Sequence, residues 1–292
     1  MILNIKTSSK YETNNIAQYI KNNAKPIIDL AELYATNQND LAHEKQVAFA
    51  AKVSGVYKIT LGFDDGRFYV SIPSKKTFPG GVGIKEKYDP RSRPWYKLGK
   101  KVNGFALSDV FVTKQGSLLL GAVQSIKNGI LLADIRLNNL HELLEGVNVI
   151  SGATSYIVDA KGMVLASTDK NIKIQQQIQT HPYFSSLSST LLNASTSYNE
   201  QTVEGVSQLI FSNKINLIGG SHWFLINVVD RDIALNKVDR ITIEQYCWAL
   251  GIAIVFILII IVVLNQVYKP VIALKHLILN LSQGSGDLSQ TL

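Results

Sequence analysis

The sequence predicts an α+β protein: a long N-terminal helix, two tandem antiparallel-sheet modules, then a helix that crosses a membrane and continues past it. Three observations carry this. Between residues 9 and 54, Ile16, Ile20, Ile27, Ala31, Tyr34 and Leu41 stand at spacings of three, four and seven, which sets them on one helical face. A strand, an Asp-to-Gly turn and a second strand recur about 95 residues apart, the signature of a repeated module. Finally, Gln245 to Tyr268 carries no charged residue, and at 1.5 Å per residue it spans about 36 Å, enough for a hydrocarbon core of roughly 30 Å.

Residues 1–54 read as a stalk helix. As one rod from Ser9 to Ser54 it reaches roughly 70 Å, with a kink expected near Lys25 because Pro26 lacks an N–H and crowds the preceding turn. The competing reading is two helices broken at Pro26. The short polar start, Met1 to Lys6, lacks the features of a signal peptide.

The first module, 55–145, opens with the alternating strand Gly55 to Phe63, the turn Asp64-Asp65-Gly66 and the strand Arg67 to Ile72. The second module, 146–235, repeats this as Thr154 to Val158, Asp159-Ala160-Lys161-Gly162 and Met163 to Ser167. Each copy closes on an apolar strand ending in an acid, Leu131 to Asp134 and Asn227 to Asp230. Between these, Phe105 to Thr113, the turn Lys114-Gln115-Gly116 and Ser117 to Val123 read as strands joined by a tight turn, hence antiparallel. Leu137 to Leu144 reads as the helix joining the modules. Residues 236–268 are the membrane segment, with Tyr246, Trp248 and Tyr268 near its ends as interfacial aromatics. Lysines and arginines flank it on both sides, so the charge rule leaves its orientation open. Residues 269–292 read as a juxtamembrane amphipathic helix, with Pro270 near its start and Gly284-Ser285-Gly286-Asp287-Leu288 at its end.

Bulk properties exclude several classes. The chain has 292 residues, 46% of them hydrophobic, so packed cores are expected and disorder is not. Its net charge of +7 arises from 29 basic residues scattered among 22 acidic ones, without the clustered face that nucleic acid requires; no nucleic-acid partner is expected. The single cysteine, Cys247, lies in the apolar run, which rules out an intrachain disulfide or a Cys-based metal site. The five histidines show no metal-ligand spacing, and Gly80-Gly81-Val82-Gly83 lacks the strand-to-helix setting of a dinucleotide loop. No cofactor and no metal is expected.

The densest chemistry lies in Tyr88-Asp89-Pro90-Arg91-Ser92-Arg93-Pro94-Trp95-Tyr96. Arg93 offers a planar fork of donors that fits a carboxylate, and Trp95 and Tyr96 add rigid walls, an indole N–H and a hydroxyl. The two prolines fix φ and push Asp89 and Arg93 toward extended backbone, so the donors are expected on a stiff, non-helical loop. A surface loop held by cation–π stacking is the alternative.

The pattern Tyr88-x4-Arg93-x-Trp95-Tyr96, followed by a hairpin and a strand ending in Asp134, resembles the membrane-distal module of double Cache sensor regions of bacterial methyl-accepting chemotaxis receptors. The resemblance covers roughly Ile16 to Leu292, and the segment after the membrane is similar to the first helix and connector of a HAMP relay. It implies two PAS-like modules and a site in which Arg93 and Trp95 grip a carboxylate, Tyr88 and Tyr96 wall the pocket, and Asp134 takes an ammonium. Two further positions of the amino-acid-binding subgroup, a Tyr and an Asp, stand here as Phe111 and Thr113, which removes a hydroxyl and a carboxylate from the ammonium end.

The resemblance further implies a non-enzymatic receptor in the bacterial inner membrane, its modules periplasmic or extracellular. A small carboxylate-bearing ligand, an amino acid or a relative, is expected, together with lipid around the membrane helix and a homodimer. Cytoplasmic signalling partners are expected through a region beyond Leu292, and a membrane helix is expected to precede the chain. The second module, without the Arg-x-Trp-Tyr set, is expected to transmit motion. The same front end occurs on sensor kinases and cyclic-dinucleotide synthases. Two other classes compete with this one: a membrane-tethered hydrolase or transferase, with Asp89 or Asp109 as the nearest candidate bases, and an adhesion ectodomain.

Overall fold

The computed structural model describes residues 2–36, 41–113, 115–146, 153–181, 184–185, 188–203 and 205–282. Helix α1 (Ile2–Ala35) runs through Pro26, and a second helix, α2 (His43–Ser54), comes after it. The expected single rod to Ser54 is therefore corrected, and so is the break at Pro26. Helix α1 ends in a turn at Thr36, and Leu41 and Ala42 lie outside α2; the sequence between carries Asn and Asp, residue types whose side chains compete for backbone hydrogen bonds and disfavour helix interiors. Helix α1 alone is about 50 Å long.

The first sheet contains β1 (Lys58–Phe63), β2 (Phe68–Val70), β3 (Phe105–Val112), β4 (Leu118–Ile126) and β5 (Gly129–Arg136), in the order β2-β1-β5-β4-β3. The second contains β6 (Ala153–Asp159), β7 (Val164–Ser167), β8 (Thr196–Val203), β9 (Val206–Asn216) and β10 (His222–Asp230), in the order β7-β6-β10-β9-β8. The two orders are the same, and every pairing is antiparallel. The repeat seen in the sequence is thus a repeat of topology.

Strand alternation decides what each face of the first sheet does. Ile59, Leu61 and Phe63 of β1 and Leu131, Ala133 and Ile135 of β5 point to one side, where they form a core with Ile16, Ile20, Ala24, Ile27 and Leu30 of α1. The period of α1 and the period of two of the strands meet in one apolar layer. On the other side, Ile130 and Leu132 pack with Val123, Tyr96 and the half-buried Trp95 and Leu98. Lys58, Thr60 and Gly62 of β1, Gly121 of β4 and Asp134 of β5 share that second side, a row of small or polar residues in an otherwise apolar sheet.

Within the modules lie α3 (Pro94–Val102), α4 (Asn139–Gly146) between the two, and α5 (Ser188–Asn193) in the second. Residues 231–282 form α6 (Arg231–Ser282), which continues through Pro270. Residues 1–234 are one compact unit, and 235–292 are another. Within the latter, Gln245–Asn280 is the helix long and apolar enough to cross a membrane, and none of it is buried. The Gly284 to Leu288 feature lies outside the described residues.

Candidate functional site

The site begins with Asp89. Its backbone is extended (φ −107°, ψ 114°), and its carboxylate accepts from the Arg91 N–H, capping a single 3-10 turn over Pro90–Ser92 that the Arg93 N–H closes onto the Pro90 carbonyl. Arg93 is extended as well (φ −82°, ψ 145°), the conformation that a following proline favours. Pro94 then occupies the first position of α3, where its missing N–H costs nothing. The non-helical loop expected for the whole stretch is corrected here: Trp95 and Tyr96 are helical, because an X-Pro step that stiffens a loop also starts a helix well.

One glycine permits the close approach of this segment to the sheet, and a second that of β3 to β4. A Cβ on Gly62 would lie 2.9 Å from Pro90 Cβ and 3.0 Å from Trp95 Cη2, so β1 needs a bare backbone where the loop seats. On β4, a Cβ on Gly121 would meet Ser108 Oγ at 2.9 Å. Ser108 belongs to a bulge in β3 between Leu107 and Val110, and its hydroxyl accepts the Gly121 N–H at 3.0 Å.

Between these elements lies a cavity of about 730 Å³, within the ~300–1,000 Å³ usual for small-ligand sites. Its charged and aromatic lining is Lys58, Tyr88, Arg93, Trp95, Asp109, Phe111 and Asp134. Trp95 Nε1 donates to the Tyr88 hydroxyl at 3.1 Å, and the Tyr88 ring rests on Phe68 with centroids 4.7 Å apart. The Arg93 guanidinium sits 4.3 Å from the centre of that Tyr88 ring. Among the described residues it has no carboxylate partner, although it lines a cavity that Asp134 also lines.

The structure brings five of the seven sequence-expected residues to this cavity: Tyr88, Arg93, Trp95, Phe111 and Asp134. Tyr96 and Thr113 are not in its lining. Tyr96 is buried, and its hydroxyl donates to Asp64, which also pairs with Lys100 at 2.7 Å. Burial, reinforced by Asp64, pushes the Tyr96 phenol well above its ordinary range. Its place is the seam that pins α3 to the β1–β2 turn, so the expectation that it walls the pocket is corrected. Thr113 lies just past β3, and its hydroxyl accepts the Ser117 N–H at 3.1 Å, closing the β3–β4 hairpin.

Sequence reasoning missed Lys58. Its Nζ is 2.9 Å from Asp134 Oδ2, the two being register partners across β1 and β5. The available signal was the polar face Lys58-x-Thr60-x-Gly62 in a strand otherwise buried. The two candidate catalytic bases are both occupied. Asp89 is held down to about 2, chiefly by the Arg91 side chain, and Asp109 pairs with Lys161 of the second module at 2.9 Å.

Two like-folded modules, one of them enclosing a cavity of small-ligand size between sheet and helix, are followed in the chain by a helix of membrane-crossing length. The chain is homologous to methyl-accepting chemotaxis proteins of Pseudomonas. It is 21% identical over 283 residues to McpG of Pseudomonas putida, covering 96% of this chain and 43% of that protein. It is 22% identical over 213 residues to McpA of the same organism, covering 70% and 32% respectively. The chain therefore spans less than half the length of these relatives. No family model matches it. Among solved structures it shares the fold of the ligand-binding domain of PctB, an amino acid chemoreceptor of Pseudomonas aeruginosa, in complex with L-Arg: TM-score 0.59, 16% identity, 78% of this chain and 94% of that one. The ligand-binding domain of the Pseudomonas fluorescens chemoreceptor CtaA, in complex with L-isoleucine, matches at TM-score 0.58 and 20% identity, over 78% and 92%. The fold is consistent with a double Cache arrangement.

Proposed function

We propose that this chain is the sensor region of a chemotaxis receptor whose first module binds a small carboxylate-bearing metabolite, an amino acid or a relative of one. The observation that carries this reading is the Arg93 guanidinium, stacked on Tyr88 at the edge of the cavity with no carboxylate partner among the described residues. Arg93 is exposed in the ligand-free chain, and a guanidinium held over an aromatic ring at a cavity mouth is a strong receptor for a carboxylate, because the bidentate pair satisfies both groups at once. Tyr88, Trp95 and Phe111 supply the walls, and Asp134 the acidic end. Ligand binding draws α3 and the Pro-Arg loop onto the sheet, and the membrane helix carries the change across the bilayer of the bacterial inner membrane. A homodimer provides the partner helices that a HAMP-type relay needs, and cytoplasmic partners read its output.

Calorimetry on the chain with Arg93→Ala tests the site. Loss of a charge-assisted hydrogen-bonded pair costs about 1.5–3 kcal/mol, so affinity for a carboxylate that binds the parent should fall at least about tenfold. Undiminished affinity would place the ligand elsewhere.

A further inference from the structure

The two ends of the cavity are not equivalent in charge. Asp134, whose side chain is only 6% exposed, is already paired with the Lys58 ammonium at 2.9 Å, and Lys58 itself is 31% exposed, at the cavity wall. The second carboxylate of the lining, Asp109, is 84% exposed and committed to Lys161. Both acids thus hold an ammonium that belongs to the chain, while the guanidinium of Arg93 holds no carboxylate among the described residues. Phe111 adds only an aromatic ring to this end, and the Thr113 hydroxyl is turned to its hairpin. The empty valence of the cavity is for an anion alone.

From this asymmetry we infer that Lys58 is an internal surrogate for a ligand ammonium, and that the cavity selects small carboxylic acids that carry no amino group, such as 2-hydroxy acids and dicarboxylates. The inference rests on the reading of the cavity as the ligand site and narrows the ligand class. A zwitterion entering with its carboxylate on Arg93 brings its ammonium up to Lys58 and Asp134. It must either sit beside a like charge in a partly desolvated space or detach Lys58 from a buried carboxylate, and both are unfavourable. A hydroxy or oxo group at the same carbon meets no such repulsion and can accept from the Lys58 ammonium or bond to the Thr60 hydroxyl, which also lines the cavity. A second carboxylate would find Lys58 as its cation. Discrimination against amino acids then comes from a repulsive element built into β1 rather than from a lost contact.

The test uses the full chain in detergent or nanodiscs and titrates pairs of probes with one carbon skeleton: lactate and alanine, malate and aspartate, 2-hydroxyglutarate and glutamate. The parent should bind at least one amine-free acid about tenfold or more tighter than its amino twin, a difference well resolved by calorimetry. Lys58→Met, which frees Asp134, should shift that ratio toward the amino acid by about tenfold or more, and Lys58→Arg, which keeps the cation, should preserve the parental order. Should Lys58→Met fail to fold, Lys58→Met with Asp134→Asn removes both charges, and it should bind the two members of each pair equally. An amino acid preferred by the parent, with a ratio that Lys58 variants leave unchanged, overturns the role of Lys58. If Arg93→Ala abolishes binding in that case, the ligand site itself stands. Binding unaffected by Arg93→Ala, or no binding of either set, overturns both.

Discussion

The two modules share one strand order but treat the same face of the sheet in opposite ways. Counting back from the matching turns at Gly66 and Gly162, Lys58, Thr60 and Gly62 of β1 correspond to Thr154, Tyr156 and Val158 of β6. Across the ladder, Leu132 and Asp134, which pair with Thr60 and Lys58, correspond to Ile226 and Val228, which pair with Tyr156 and Thr154. In the second module this face is filled. Tyr156 is fully buried, edge-on to Phe184 with centroids 5.2 Å apart, and joins Val158, Ile178, Leu191, Phe224, Ile226 and Val228 in one apolar cluster. In the first module the same location is the cavity. A fold that occurs twice has therefore been closed by large side chains in one copy and left hollow in the other, and the difference lies in a handful of inward positions rather than in topology.

The comparison can be broken from either side. The largest expected effect is on the filled copy: Tyr156→Ala removes a buried ring and should destabilise the protein by about 3–5 kcal/mol, read as a fall in the denaturant midpoint. Loss of only a few tenths would mean that the cluster can collapse around the gap. Next, Thr60→Tyr places in the first module the side chain that closes the second. It should lower affinity for any ligand of the cavity by at least about 100-fold, roughly 2.7 kcal/mol, while the melting temperature is kept or raised. Retained binding would show that the ligand does not use the space above Thr60.

The smallest effect concerns how α1 meets the second sheet. Both sheets contribute to the apolar core that contains the α1 isoleucines, and the second adds a buried polar seam to its meeting with that helix. Asn227 Nδ2 donates to Ser9 Oγ at 2.8 Å and Ser155 Oγ donates to Asn227 Oδ1 at 2.7 Å. Glu12 is buried nearby, with one carboxylate oxygen lacking a hydrogen-bond partner. Burial raises its pKa above the ordinary 4.5, outweighing the hydrogen bonds from Asn227 and Ser8 that act the other way. The folded state then holds the Glu12 proton more tightly than the unfolded chain, so this stability is complete below pH 4.5 and is lost as pH rises through the raised value. Glu12→Gln should melt with the parent in acid and above it at neutral pH, by on the order of 1 kcal/mol. Equal melting at both pH values would remove the seam from the comparison.

How much of the molecule is legible in the sequence depends on the range of each interaction. The hairpins at Asp64 to Gly66 and Asp159 to Gly162 and the apolar face of α1 depend on neighbours a few residues away, and they read directly. Extended backbone at Asp89 and Arg93 is likewise a local consequence of the prolines next in the chain. The helical start at Pro94 escapes such a reading because the same residue type stiffens a loop and opens a helix, and the residues beyond it decide between the two. Tyr96 reads as a pocket residue because it adjoins Trp95. On a helix, adjacent residues point about 100° apart, and only one of the two can face the cavity.

By itself, then, the sequence determined the repeat, the membrane-length helix and the cationic, aromatic corner around Arg93, since each is written in contiguous residues and in periods of two or 3.6. Tertiary structure alone decided that Lys58 meets Asp134 and that Tyr156 fills what Thr60 leaves open. Both outcomes depend on the register between strands far apart in the chain, and a shift of one residue would turn either side chain to the opposite face of its sheet.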